Sequence, residues 1–195
     1  KRQLKEGHGK KCLVIGADSM SKLLDWNDRA TAVLFGDGAG AVILENRIVR
    51  NNFIENDQWG ILTTKIFTDG EFYDLLNTDG GVSKSKSTGF LRMNGKEVFK
   101  HAVEKLTSSL LICLEECNMT IDDIDWLIPH QANQRIINAV SNKVKIHHNK
   151  IISTISIHGN TSAASIPLAL DVSIKEGKVQ NGDVLALQAI GGGLS

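Results

Sequence analysis

An α/β fold with a mostly parallel sheet and covered faces is what this 195-residue sequence predicts. Three observations carry it. The apolar run Trp126-Leu127-Ile128 stops at Pro129 and gives way to helical spacing at Ile136, Ile137 and Val140. A β-branched run, Ile151 to Ile157, precedes a second helical stretch, Ala163 to Glu176, and the buried-strand pattern Val184 to Ala189 follows it.

Taken in order, Cys12 to Ile15 reads as a buried strand and Gly16-Ala17-Asp18-Ser19 as a tight turn after it. Leu23 to Arg29 is polar and reads as a loop. The glycines Gly36, Gly38 and Gly40 fit neither phosphate-binding fingerprint, so they read as a turn feeding the strand Ala41 to Leu44. Asn46 to Gln58, rich in Asn and charge, reads as a surface insertion. Ile61 to Thr68 alternates like a half-buried strand, and Asp69 to Thr88 reads as a mobile surface loop long enough to cover a site. From Asn94 the period changes: Phe99, Val103, Leu106, Leu110, Cys113 and Cys117 share one helical face, which Asn118 closes. Thr120 with Asp122 and Asp123 signals a short turn. Lys143 to Lys150 reads as solvated surface. Thr161 or Ser162 is the expected cap of the helix Ala163 to Glu176, whose first turn admits Pro167 with local adjustment. Asn181-Gly182 makes a turn, and Gly191-Gly192-Gly193 ends the readable chain.

The totals exclude several functions. Lys plus Arg number 22 against 22 Asp plus Glu, so no overall charge suggests a nucleic-acid surface. Three cysteines, Cys12, Cys113 and Cys117, sit in apolar segments and read as reduced core thiols, not as disulfides or metal ligands. His147 and His148 lack a third ligand, so metal is not expected. No apolar run reaches the roughly 20 residues that span a bilayer. The start, Lys1 to Lys11, has no apolar core of a signal peptide and does not begin with Met, the pattern of a processed, truncated or excerpted chain.

The chemistry gathers at strand ends. His130 follows the run Trp126 to Ile128, and Asn160 follows Ile151 to Ile157; parallel neighbouring strands would bring both to one pocket. A neutral histidine and an amide aimed at one point stabilise an oxyanion or enolate, and the Gly191 to Gly193 run can add a backbone N–H. A lone strand-end histidine is more often a structural hydrogen-bonder, and an Asn after Gly more often a turn, so spacing alone leaves catalysis about even.

Five segments, FGDGAG (Phe35 to Gly40), NGKEVF (Asn94 to Phe99), PHQAN (Pro129 to Asn133), HGNTSAAS (His158 to Ser165) and GGG (Gly191 to Gly193), stand in the order and approximate spacing found in β-ketoacyl-acyl-carrier-protein synthase III. The chain resembles the C-terminal half of that family. The resemblance implies the C-terminal half of a thiolase-like αβαβα sandwich over residues 1–195, a mixed, mostly parallel sheet with covering helices. It implies a decarboxylative Claisen condensation that starts fatty-acid synthesis, joining an acyl group from coenzyme A to malonyl on acyl carrier protein. His130 and Asn160 match the family's catalytic pair and Gly192 an oxyanion glycine. Arg29 matches an arginine stacked on the adenine of coenzyme A; Gly95, Phe99 and Asn133 match the pantetheine channel. Lys100, Arg135 and Lys143 match basic positions where the carrier protein docks. No resident cofactor is implied, coenzyme A thioester being a substrate. The implied partners are acyl-coenzyme A, malonyl-acyl carrier protein, the N-terminal half of the same enzyme and, when complete, a second copy in a homodimer, with no nucleic acid and no membrane. The implied compartment is bacterial cytoplasm or a plastid-type organelle.

Departures from the family pattern set further expectations. The nucleophilic cysteine belongs to an N-terminal half that the chain does not contain, and none of Cys12, Cys113 and Cys117 sits as an exposed thiolate at a helix N-terminus. The strand that follows the triple glycine is missing, Ile190 stands where Phe is usual, and Asn46 to Gln58 and Asp69 to Thr88 look enlarged. A half-fold would also expose sheet and helix surfaces. The competing readings are a non-catalytic fragment that binds coenzyme A or carrier protein, and another thiolase-fold synthase.

Overall fold

The computed structural model describes residues 10–45 and 60–195; the segment Asn46 to Gln58 and all but the end of the basic start lie outside them. The strands and helices are β1 (Lys11–Asp18), β2 (Gly38–Glu45), β3 (Leu76–Thr78), β4 (Leu91–Met93), α1 (Gly95–Glu116), β5 (Trp126–Pro129), α2 (Gln134–Val144), α3 (Ile155–His158), α4 (Ser165–Lys175) and β6 (Leu185–Gln188). The fold is α/β with mixed strands. Among the described residues parallel pairing is confined to β5 with β6 and a bridge from Leu127 to Ile151, whereas β1–β2 and β3–β4 are antiparallel.

Period-2 alternation along β5 sends neighbouring side chains to opposite faces. Leu127 packs with Leu106 and Leu110 of α1 and Val140 of α2; Ile128 packs on the other side with Ile152, Ala169 and Val179. α4 therefore lies under the β5–β6 ladder, and its far side packs on β2. Helices, ladder, helix and ladder form four successive layers, and the outward side of the last leaves Leu13, Ile15 and Ile43 exposed.

Close approach of α4 and the 3₁₀ turn before it to the β1–β2 ladder explains the glycines. Gly16 and Gly40 are register partners inside the ladder, so neither Gly16 to Ser19 nor Gly36 to Gly40 is the expected turn. A Cβ on Gly16 would meet Ala163 O at 2.2 Å, and one on Gly40 would meet Pro167 Cβ at 2.7 Å. Backbone crosses backbone there, and side chains have no room.

The 22-residue α1 starts where Asn94 caps it, its side chain accepting from Glu97 N, and ends at Asn118 with φ 52°. Thr120 and Asp123 form a reciprocal capping box on the short turn Ile121–Asp123, as the sequence suggests. α4 begins at Ser165, later than expected, after a 3₁₀ turn at Ser162–Ala164. Neither Thr161 nor Ser162 caps it with a side chain. Pro167 becomes its third residue, where an N–H has no intrahelical partner to lose, so no adjustment is needed.

Two expected strands are corrected. Ile61 to Thr68 has no ladder; it is tethered by its side chains, Lys65 to Glu116 at 2.7 Å and Thr63 to Glu116, while Ile66 and Phe67 are exposed. Ile151 to Ile157 pairs only at its start, where Ile152 N donates to Leu127 O at 3.0 Å, and then turns into α3. The loop Asp69 to Thr88 holds a 3₁₀ turn and β3. The Asp79 carboxylate, accepting from Phe90 N at 2.8 Å and Arg92 Nε at 2.6 Å, ties it down, and Arg92 Nη1 reaches Asp25 at 3.1 Å.

The layer contact predicts a contrast between two glycines. Gly16→Ala should lower unfolding free energy by about 1–3 kcal/mol through overpacking, whereas Gly70→Ala, with nothing within 4 Å, should stay within about 0.5 kcal/mol. Urea titrations of both variants measure the difference.

Candidate functional site

At the carboxyl end of β5 a buried side chain joins the backbone pairing. The completely buried Gln131 donates Nε2 to Pro129 O at 2.6 Å and to Ile152 O at 3.3 Å, while its Oε1 accepts from Thr154 N at 2.8 Å. One amide thus satisfies three buried backbone groups and joins the end of β5 to the turn that leads toward Asn160. His130 N donates to Gln188 O at 2.7 Å, which fixes the histidine's backbone on β6.

The His130 ring packs Nδ1 against Ser165 Oγ at 2.6 Å. Burial lowers its pKa from 6.5 to about 4, so the imidazole is neutral at pH 7. Asn160, also buried, is aimed by the turn Gly159 to Ser162. Gly159 takes φ 66°, ψ −157°, and Ser162 takes φ 51°, a left-handed value that non-glycine residues rarely adopt. Asn160 Oδ1 accepts from Ser162 N at 3.0 Å and its carbonyl accepts from Gly36 N at 2.8 Å. With the oxygen pinned to a backbone donor, Nδ2 is the free end of the amide.

Both side chains line one cleft of about 410 Å³, together with Gly95, Phe99, Asn133 and Arg135. Six of the ten residues singled out in the sequence are thereby brought together. Asn133 also caps α2, accepting from Arg135 N at 2.8 Å, and the Arg135 guanidinium lies 5.5 Å from the Phe99 ring centroid. The other four stand apart from the lining. Arg29 is exposed on the loop before Leu34 and Phe35, which do line the cleft, and Lys100 and Lys143 are exposed on α1 and α2. Gly192 is exposed too; a Cβ there would meet Leu76 O at 2.9 Å, and its neighbours Ile190, Gly191 and Leu194 form the wall instead.

Sequence reasoning missed Ser165 and Lys96. Ser165 is 35 residues from His130 and no periodicity links them. Lys96 did carry a signal, a cation in the first turn of a helix, where the dipole disfavours it. It lines the cleft with Arg135, and among the described residues no carboxylate does. Cys12, Cys113 and Cys117 are half-buried thiols outside the lining, and burial raises the Cys113 pKa. Among the described residues no group of three or more His, Cys, Asp or Glu is placed to hold a metal, and no helix is long and apolar enough to cross a membrane.

Residues 114–195 match the family model described as 3-oxoacyl-[acyl-carrier-protein] synthase III C terminal, and residues 1–70 match the one described as 3-oxoacyl-[acyl-carrier-protein] synthase III. The β-ketoacyl-[acyl-carrier-protein] synthase III of Cereibacter sphaeroides is 50% identical over 192 residues, 98% of this chain and 58% of that protein. That of a Bradyrhizobium strain is 49% identical over the same shares. The crystal structure of the Aquifex aeolicus synthase III superposes with a TM-score of 0.87 at 42% identity, covering 99% of this chain and 58% of that one. The Pseudomonas aeruginosa structure gives 0.87 at 35% identity over the same shares. The chain spans about 58% of the length of these relatives.

A pH dependence follows from the buried imidazole. His130 binds its proton more weakly folded than unfolded, so its contribution favours folding above pH 6.5 and is lost as pH falls from 6.5 toward 4, by at most about 3 kcal/mol. Chemical denaturation at pH 7.5 and pH 4.5 should therefore show a smaller acid loss in His130→Gln than in the unsubstituted chain.

Proposed function

The chain belongs to the β-ketoacyl-acyl-carrier-protein synthase III family of thiolase-like condensing enzymes, and on that footing we propose that it supplies the enolate-stabilising side of a decarboxylative condensation. One observation carries the reading: two neutral hydrogen-bonding groups, the His130 imidazole and the Asn160 amide, line the same cleft, which among the described residues holds no carboxylate.

In the proposed reaction an acyl group passes from coenzyme A to a cysteine thiolate outside this chain, and the coenzyme A thiol leaves. A malonyl thioester on acyl carrier protein then enters the cleft. Its carboxylate departs as carbon dioxide, and the electron pair of the broken C–C bond moves into an enolate whose oxygen accepts from His130 and Asn160. The enolate carbon attacks the acyl-cysteine carbonyl, a new C–C bond forms, and the cysteine thiolate leaves with the 3-oxoacyl product on the carrier. A carboxylate in the cleft would oppose both the malonyl anion and the enolate, so its absence suits this order of charges.

Gly95, Phe99 and Asn133 suit a slender pantetheine arm, with Arg135 and Lys96 at hand for its phosphate. Arg29, Lys100 and Lys143 lie outside the lining and suit the bulkier ends of the two substrates, the adenine of coenzyme A and the acidic carrier protein. Gly192 supplies a backbone N–H to the acyl-thioester oxygen only with a wall contributed from beyond the described cleft. The remainder of the enzyme, with the nucleophile and the dimer contacts, completes the site.

Two outcomes test this. Incubated alone with acetyl-coenzyme A, the 195-residue chain should keep its intact mass, since none of its three thiols lines the cleft; one acetyl group per chain on Cys12, Cys113 or Cys117 would overturn the assignment. In the enzyme assembled with its cysteine-bearing portion, His130→Ala and Asn160→Ala should each slow malonyl decarboxylation by about 10²–10³-fold. Equal loss in acyl transfer and decarboxylation would point to a general collapse of the site and against the proposed role.

A further inference from the structure

The hydrogen bonds around Ser165 decide which nitrogen of His130 carries the proton. Ser165, 1% exposed, is the first residue of α4. Its hydroxyl oxygen lies 2.6 Å from His130 Nδ1 and accepts from Gln131 N at 3.3 Å. A hydroxyl has one hydrogen to give and two lone pairs to receive with. If Nδ1 carried the proton, the oxygen would receive from both Nδ1–H and Gln131 N–H, and its own hydrogen would be left without a protein acceptor on a residue with almost no exposure. Leaving a buried donor unmade is costly. Among the described residues the acceptor within reach of that hydrogen is Nδ1 itself. The hydroxyl donates to Nδ1, and the single proton of the neutral ring sits on Nε2.

From this geometry we infer that Ser165 is a positioning residue that locks His130 as its Nε2–H tautomer, presenting a donor and not a lone pair to the cleft. The role rests on the enolate-stabilising reading of His130, because only a developing negative charge needs the donor form. Ser165 is placed by its neighbours: the preceding 3₁₀ turn, Ser162–Ala164, lies on Gly16 and Gly38, where added Cβ atoms would meet Ala163 O at 2.2 Å and Thr161 Cβ at 2.8 Å. The β1–β2 ladder thus sets, through Ser165, which nitrogen of the histidine just past the end of β5 holds the proton.

The test is the tautomer itself. In the 195-residue chain labelled with ¹⁵N-histidine, long-range proton–nitrogen spectra at pH 7 should show His130 with a pyrrole-type Nε2 and a pyridine-type Nδ1, the signals assigned by their loss in His130→Gln. Ser165→Ala should move both nitrogens toward a mixture of tautomers, and Ser165→Thr, which keeps the hydroxyl, should restore the single form. In the assembled enzyme Ser165→Ala should lower kcat for decarboxylation about tenfold or more with a smaller change in KM. A protonated Nδ1 in the unsubstituted chain overturns the inference even if Ser165→Ala fails to fold, and so does an unchanged tautomer in a folded Ser165→Ala. The tautomer readout needs no activity: a locked Nε2–H in an enzyme whose decarboxylation ignores His130→Ala would sink the proposed function and leave the lock standing.

Discussion

The end of β5 is the constraint on which the cleft depends. A parallel strand that stops in the interior leaves backbone groups that the next element must satisfy, and here one buried carboxamide, that of Gln131, takes the last carbonyl of β5 together with two backbone groups of the neighbouring segment, Ile152 O and Thr154 N. The result is a rigid strand terminus from which His130 projects beside a chain that turns at Thr154 and returns toward Asn160. Replacing Gln131 by an apolar residue would strand an N–H and two carbonyls at once, which is why a polar side chain with no exposure is stable there.

A second constraint is spacing between layers. α4 packs under the β5–β6 ladder on one side and, with the 3₁₀ turn before it, against β1–β2 on the other; the turn comes close enough to require Gly16 and Gly38, and α4 close enough to require Gly40. Small residues far from the cleft in sequence thereby fix Ser165, and with it the environment of His130. The same closeness lets the turn at Asn160 rest on Gly36, whose N–H holds the Asn160 carbonyl at 2.8 Å.

Much of this was legible in the sequence where local periodicity and tertiary packing agree. α1, α2, β5 and β6 follow their apolar spacing because each buries one face or lies between two layers. Legibility failed where long-range contacts decide. The glycines of β1 and β2 look like turns because Gly is ordinarily a turn residue; only the helix passing over them shows that they are strand. Ile151 to Ile157 has strand composition, yet Gln131 captures its backbone after Ile152, and no local pattern announces that. At the site, His130 and Asn160 could be read from their positions after apolar runs and from family resemblance, and Lys96 from its unfavourable place in the first turn of α1, whereas Ser165 became visible only when the helices were set in place.

The most direct measurement of the central claim, that His130 and Asn160 converge on one thioester oxygen, is a structure of the enzyme with its cysteine-bearing portion and a malonyl-pantetheine analogue that cannot lose carbon dioxide. The analogue's thioester-type oxygen should lie within hydrogen-bond distance, about 2.7–3.1 Å, of both His130 Nε2 and Asn160 Nδ2. An analogue whose oxygen meets only one of them, or whose acyl end lies elsewhere in the cleft, would contradict it.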